Sequence, residues 1–160
     1  MPKSELDAFD HAILAALQQD GRLSNVELAD AVGLSASPCL RRVKRLEAEG
    51  YITGYRAVLD RDKAGLGMTV FVEIKAERHA LDASNALQEA LAAIPEVVAA
   101  HMVSGGADFL VEVVVPDLKA YERMLNERLL TLNMVKDIRS NFAIRIIKTA
   151  AALPLSHLNS

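Results

Sequence analysis

The sequence predicts an α+β protein: an N-terminal helix-turn-helix (winged-helix-like) domain, then a C-terminal ferredoxin-like βαββαβ domain. Three observations predict it. Up to about residue 50, apolar residues recur at helical spacing, with a glycine turn between the second and third helical runs. From Met68 the apolar period falls to two. Beyond that point four strand-like runs and two helical runs alternate in the order β-α-β-β-α-β.

In the first part, Leu6, Phe9, Ile13, Leu14 and Leu17 mark an amphipathic helix over 6–19, stopped by Asp20-Gly21. Ser24 stands three residues before Glu27, the spacing of a capping box. Val26, Leu28, Ala29 and Val32 form a second, short helix ended by Gly33, a residue that accepts the positive φ of a sharp turn. Ser35 or Ser37 caps a third helix, which tolerates Pro38 in its first turn and ends at Gly50.

Two helices joined by a short glycine turn make a helix-turn-helix, whose second helix enters the major groove of DNA. Four cations fall in five residues of that helix, RRVKR at 41–45, although residues 1–60 are acidic overall. On a helical wheel Cys39, Val43 and Leu46 share the packed face with Leu40 alongside, and Ser37, Pro38, Arg41, Arg42 and Arg45 lie opposite, with Lys44 to the side. The expected DNA-binding residues are therefore Ser35, Ser37, Pro38, Arg41, Arg42, Lys44 and Arg45. Arginine forks suit guanine edges and phosphates, lysine suits phosphate, and the helix N-terminus adds N–H donors.

The stretch YITGYRAVLD alternates as a short strand, a hinge or a pairing element for a second copy, and DRDKAGLG at 60–67 marks the domain boundary. In MTVFVEIKAE, Val70, Val72 and Ile74 alternate with Thr69, Phe71, Glu73 and Lys75. A helix over 82–94 ends at Pro95, a second strand spans 97–103, SGGAD turns, and a third strand spans 109–115. Pro116-Asp117 opens a helix with Leu118, Tyr121, Leu125 and Leu129 on one side, and 138–148 is the fourth strand. Both helices then cover one sheet face, and the other face, bearing Phe71, is expected to be covered by a second subunit. The divisions are 1–52, a hinge and linker over 53–67, an effector-binding and oligomerisation domain over 68–150, and a tail, 151–160, apolar enough to dock.

The 160 residues carry a net charge of -3, so a generally basic, nucleic-acid-coating protein is not expected. A single cysteine, Cys39, excludes an internal disulfide and a multi-Cys zinc site. His11, His79, His101 and His157 are scattered, so no metal is expected. No apolar run reaches the roughly 18 residues of a membrane span, and the charged start is unlike a signal peptide. A cytoplasmic, nucleoid-associated location is expected. No phosphate loop, nucleophile elbow or metal set is present, so an enzyme is not expected.

The run LSNVELADAVGLSASPCLRRVKRLEAEGYITGY, with VFVEI, HMVSGGADFLVEV and VPDLKAYERML, resembles the Lrp/AsnC family of transcription regulators from about Leu6 to Lys148. That resemblance implies double-stranded DNA as partner, a homodimer formed through the sheets and assembling to an octamer, and an amino-acid effector, leucine or another small amino acid, with no further cofactor. The family's Gly-Asp-aromatic-Asp turn matches here at Gly105 and Asp108, with Gly106 and Ala107 in its middle positions. Ser104, Gly105, Gly106, Ala107 and Asp108 are thereby implied effector residues. Leu118, Leu130, Asn141, Phe142 and Ala143 correspond to positions that shape the response. From the residues alone, Gly-Gly lets N–H groups approach a carboxylate and Asp108 suits an ammonium, but an Asp that bonds its own hairpin backbone is equally a turn feature. The alternative to a sequence-specific regulator is an architectural protein that wraps DNA through phosphate contacts.

Overall fold

A computed structural model describes residues 6–77, 81–149 and 151–159, so Lys3 and His79 lie outside the described residues. The chain forms two compact units: one runs to Val58 and takes in the residues from Lys148 onward, the other spans Leu59–Ile147.

The helical unit holds α1 (Ala8–Gln19), α2 (Asn25–Val32) and α3 (Ala36–Ala48). Asp7 caps α1 through a box with Asp10, and Ser24 caps α2 through a box with Glu27, each carboxylate reaching back to the cap's own N–H. The Ser24 hydroxyl and N–H hold the Glu27 carboxyl below its ordinary range. Gly33 ends α2 in the left-handed region at φ 72°, which a residue with a Cβ adopts only under strain. Ser35 is the N-cap residue of α3, with extended backbone and no side-chain cap bond. Ile13, Leu28, Ala29, Cys39 and Leu46 form the core. Burial raises the Cys39 thiol pKa, so Cys39 is a small apolar core residue.

The sheet unit runs β1 (Met68–Ala76), α4 (Leu81–Ala92), β2 (Val97–Met102), β3 (Phe109–Val115), α5 (Leu118–Met124) with a π-helical turn over Leu125–Leu129, and β4 (Val135–Phe142). The four antiparallel strands lie in the order β2-β3-β1-β4. Val70, Val72 and Ile74 of β1 and Phe109, Val111, Val113 and Val115 of β3 pack under Leu87 and Leu91 of α4 and Tyr121, Met124 and Leu129 after β3. Both helical segments thus cover one face, and Thr69, Phe71, Glu73 and Lys75 belong to the other.

Two expectations, the bounds of the fourth strand and the packing of Leu118, are corrected. β4 spans Val135–Phe142 rather than 138–148: Phe142 pairs with Val70, and the Ala143 N–H makes the last bond, to Thr69 O at 3.0 Å, one residue from the start of β1 at Met68. Ile144 and Ile147 beyond it are exposed. Within one chain, residues 55–59 have no ladder partner among the described residues, so a strand there would need the second copy with which it is expected to pair. Leu118 is exposed rather than packed, since Tyr121, Met124 and Leu129 take the core side of the second helix.

Candidate nucleic-acid interface and ligand recess

The turn between α2 and α3 is fixed from both ends. Leu34 N–H donates to Ala29 O at 2.9 Å, and the Asn25 side chain donates to Ala36 O at 2.8 Å. α3 then presents three faces. Cys39 and Leu46 are buried with Val43 half-buried beside them, and Ser37, Leu40, Arg41 and Lys44 form an exposed row at helical spacing. Ser35 is exposed at the helix start and Pro38 is half-buried.

Arg42 and Arg45 occupy the third face and turn toward α1. Arg42 Nη1 lies 2.7 Å from Asp7 Oδ2 and 2.9 Å from Asp10 Oδ1, and Arg45 Nη2 lies 2.5 Å from Asp10 Oδ2. Asp10 is 1% exposed, and its Oδ2 also accepts the Asp7 N–H at 3.1 Å. The Arg42 guanidinium stands over the Phe9 ring, 5.4 Å from its centroid. A buried carboxylate is tolerable when paired and hydrogen-bonded in this way. The Asp10 N–H and then the Arg42 guanidinium hold the Asp7 carboxyl below its ordinary range, and bonds to Asp7 and Asp10 raise Arg42.

The expectation that Arg41, Arg42 and Arg45 all face outward is therefore corrected for Arg42 and Arg45. At 100° per residue they fall on the flank beside the start of α1, where the capping box has already ordered two carboxylates. Two arginines against two aspartates leave no net charge, so the outward field of α3 comes from Arg41 and Lys44. Lys44 sits within the exposed row rather than to its side, and Leu40, expected near the packed face, is 41% exposed.

In the sheet unit, the turn after β2 is tied to β1. Asp108 N–H donates to Ile74 O at 3.0 Å, and its carboxylate Oδ2 accepts the Ala76 N–H at 2.8 Å. Asp108 thus braces the neighbouring strand β1 through that oxygen, rather than its own hairpin backbone. Gly105 has φ 122°, a conformation that favours glycine.

Beside this turn, Gly106 and Ala107 join Glu73, Lys75, Asp137 and Arg139 around a recess of about 170 Å³. The four charged residues come together by register: Glu73 pairs with Arg139, and Lys75 with Asp137. Arg139 and Glu73 approach to 3.9 Å, and Glu73 Oε1 accepts the Asn141 amide at 3.0 Å. Ser104 and Gly105 are exposed in the same turn.

Of the other expected effector residues, Asn141 borders the recess through its bond to Glu73, and the rest are not gathered there. Phe142 pairs with Val70, four residues along β1 from Ile74, or about 13 Å. Phe142 stacks edge-on against Tyr121, with centroids 5.4 Å apart, and Ala143 closes the ladder on Thr69. Leu118 and Leu130 are exposed at opposite ends of the second helical segment. Sequence reading missed Glu73, Lys75, Asp137 and Arg139 as a group. The available signal was opposite charges at alternate positions of two strands that pair. Among the described residues, no cluster of three or more His, Cys, Asp or Glu is placed to hold a metal, and no helix is long and apolar enough to cross a membrane.

Residues 6–53 match the winged helix-turn-helix DNA-binding model, and residues 69–153 match the Lrp/AsnC ligand binding domain model. The chain is 43% identical over 152 residues to the leucine-responsive regulatory protein of Klebsiella pneumoniae, covering 95% of this chain and 93% of that one. Among solved structures it is similar to a transcriptional regulator from Neisseria meningitidis in complex with L-Met, at 37% identity and TM-score 0.91, covering 96% of this chain and 99% of that one. It is also similar to an AsnC family transcriptional regulator from Agrobacterium tumefaciens, at 38% identity and TM-score 0.90, covering 95% and 99%.

Proposed function

This chain belongs to the Lrp/AsnC family, so it is a DNA-binding transcription regulator with a ligand-binding domain of that family, and from this premise we propose which residues do the work. Arg41 and Lys44 are the cations that meet DNA, with Ser37 and Ser35 donating near the start of α3. Arg42 and Arg45 position that helix through Asp7 and Asp10. The observation that carries this assignment is the division of RRVKR into an exposed pair and a pair neutralised against α1.

The effector is an α-amino acid, the class that L-Met represents in the Neisseria meningitidis relative. The recess beside Gly106 and Ala107 suits a zwitterion: Lys75 and Arg139 suit its carboxylate, and Glu73 and Asp137 its ammonium group. The working form is a homodimer in the cytoplasm, assembling further as the family resemblance implies. Phe71 on the sheet face opposite the helices is 40% exposed, and Tyr55, Val58 and Leu59 of the unpaired 55–59 segment are more exposed still, which supports covering by a second copy.

The test is operator binding by fluorescence anisotropy across a salt series. Arg41→Ala and Lys44→Ala each weaken binding by about 1–3 kcal/mol and reduce the salt slope by about 1. Arg42→Ala leaves the slope unchanged while lowering the thermal midpoint. A reduced slope in Arg42→Ala, with native slopes in Arg41→Ala and Lys44→Ala, overturns the assignment.

A further inference from the structure

The last residues of the chain return to the helical unit, and one side chain there holds them. Gln18, exposed in the last turn of α1, meets the backbone of Leu153 twice: its Oε1 accepts the Leu153 N–H at 2.6 Å, and its Nε2 donates to the Leu153 carbonyl at 3.3 Å. A glutamine amide offers a donor and an acceptor side by side. An extended residue offers the complementary pair along one edge, as in the doubly bonded pairs of an antiparallel ladder. The sequence makes residue 153 suitable, because the proline that follows biases it away from helical angles, and Pro154 has no N–H to leave unsatisfied.

The surroundings are apolar. A concavity of about 760 Å³, lined wholly by residues of the helical unit, lies between Leu14 and Leu17 of α1, Tyr51, Ile52 and Tyr55 after α3, and a wall formed by Leu153, Pro154 and Leu155 of the tail. Leu155 is half-buried there, whereas the Leu153 side chain stays 71% exposed. The backbone bonds of Leu153 and the side chain of Leu155 therefore make the contact.

We propose that Gln18 and the apolar residues beside it on the helical unit form a peptide-holding surface, that it takes an extended apolar–proline–apolar segment, and that its occupant is the chain's own Leu153–Leu155, which forms one wall of the concavity. Occupancy has a mechanical consequence. The chain passes between its two units after Val58 and again after Ile147. A body joined at one point turns about every axis, while one joined at two points turns only about the line between them. The second junction restrains the helical unit only while the tail is held, so Gln18 sets the orientational freedom of the DNA-reading helix. The proposal does not depend on which residues touch DNA or effector.

Amide hydrogen exchange by NMR on the full native chain tests it. The Leu153 N–H exchanges at least about tenfold more slowly than in an unstructured peptide, at the same rate over a range of protein concentrations. Gln18→Ala, a helix-favouring change at an exposed site, returns Leu153 to the unstructured rate and leaves Ile13 and Leu46 protected. Gln18→Glu keeps the acceptor and retains part of the protection. Gln18→Ala also weakens operator binding about threefold with an unchanged salt slope, the loss expected when a binding unit is less preorganised. Unprotected Leu153 in the native chain, or protection that survives Gln18→Ala, overturns the site. Protection that fades on dilution assigns the tail to a second copy and overturns the own-chain occupant. Unchanged operator affinity in Gln18→Ala overturns the tether.

Discussion

Each unit holds a balanced quartet of two acidic and two basic side chains, and the two quartets differ in closure. In the helical unit Asp7, Asp10, Arg42 and Arg45 meet at 2.5–2.9 Å around a carboxylate that is 1% exposed. In the sheet unit Glu73, Lys75, Asp137 and Arg139 ring a recess, and the ion pair between Arg139 and Glu73 is 3.9 Å long. The closed quartet turns its charges onto one another, with Arg45 Nε left buried without a hydrogen bond among the described residues. An open one keeps capacity for a ligand. Charge composition is the same in both, so what separates the structural cluster from the proposed binding cluster is distance and burial.

The sharpest way to break this contrast is to remove the centre of the closed quartet. Asp10→Ala leaves two guanidinium groups without their shared buried partner and is expected to destabilise the helical unit by about 3 kcal/mol, read by chemical denaturation. Removing one partner of a buried pair costs far more than an exposed pair is worth, typically under about 1 kcal/mol. A loss below that level would place the closed quartet in the same class as a surface ion pair.

The contrast also marks what a linear reading captures. The Ser24–Glu27 box, the Gly33 turn and the strand alternation of 68–76 are local, set by neighbours within four residues, and they are legible as written. Asp7 and Asp10 carry the same cap spacing and were readable in principle. Their pairing with Arg42 and Arg45 spans 32–35 residues and depends on how α1 crosses α3, which no periodicity encodes. The open quartet is more remote still. Alternation gives each strand two faces, but only the register of β1 against β4 sets Glu73 opposite Arg139, and a one-residue slip would reverse the faces. For the same reason β4 was legible as a strand and its ends were not.

The open quartet yields the next prediction. Arg139→Ala removes a side chain that is 73% exposed and is expected to leave stability within about 0.5 kcal/mol of native. Amino-acid binding, followed by isothermal calorimetry with L-Met, falls about tenfold, near the 1.5–3 kcal/mol of a hydrogen bond to a charged group. An equal loss in stability and affinity would make this quartet structural as well, and the contrast between the units would vanish.

The smallest effect tests closure by titration. The Asp7 carboxyl is held below its ordinary range, first by the Asp10 N–H and then by Arg42. A carboxyl lowered on folding contributes stability that is present above its unfolded pKa of about 4 and is lost as pH falls through the lower folded value. The native helical unit should therefore keep the Asp7 contribution at pH 5–7 and lose it progressively below pH 4. Asp7→Asn removes the charge but retains an oxygen that caps α1, so its deficit relative to native should be largest near neutrality and shrink toward zero in acid. Because Asp7 is half exposed, screening by solvent and salt keeps this difference under about 1 kcal/mol, well below that for Asp10. Thermal midpoints of native and Asp7→Asn chains between pH 2.5 and 7 would converge at the acid end. Parallel curves across that range would show that Asp7 acts only through its cap geometry and that the closed quartet is in practice a triad around Asp10.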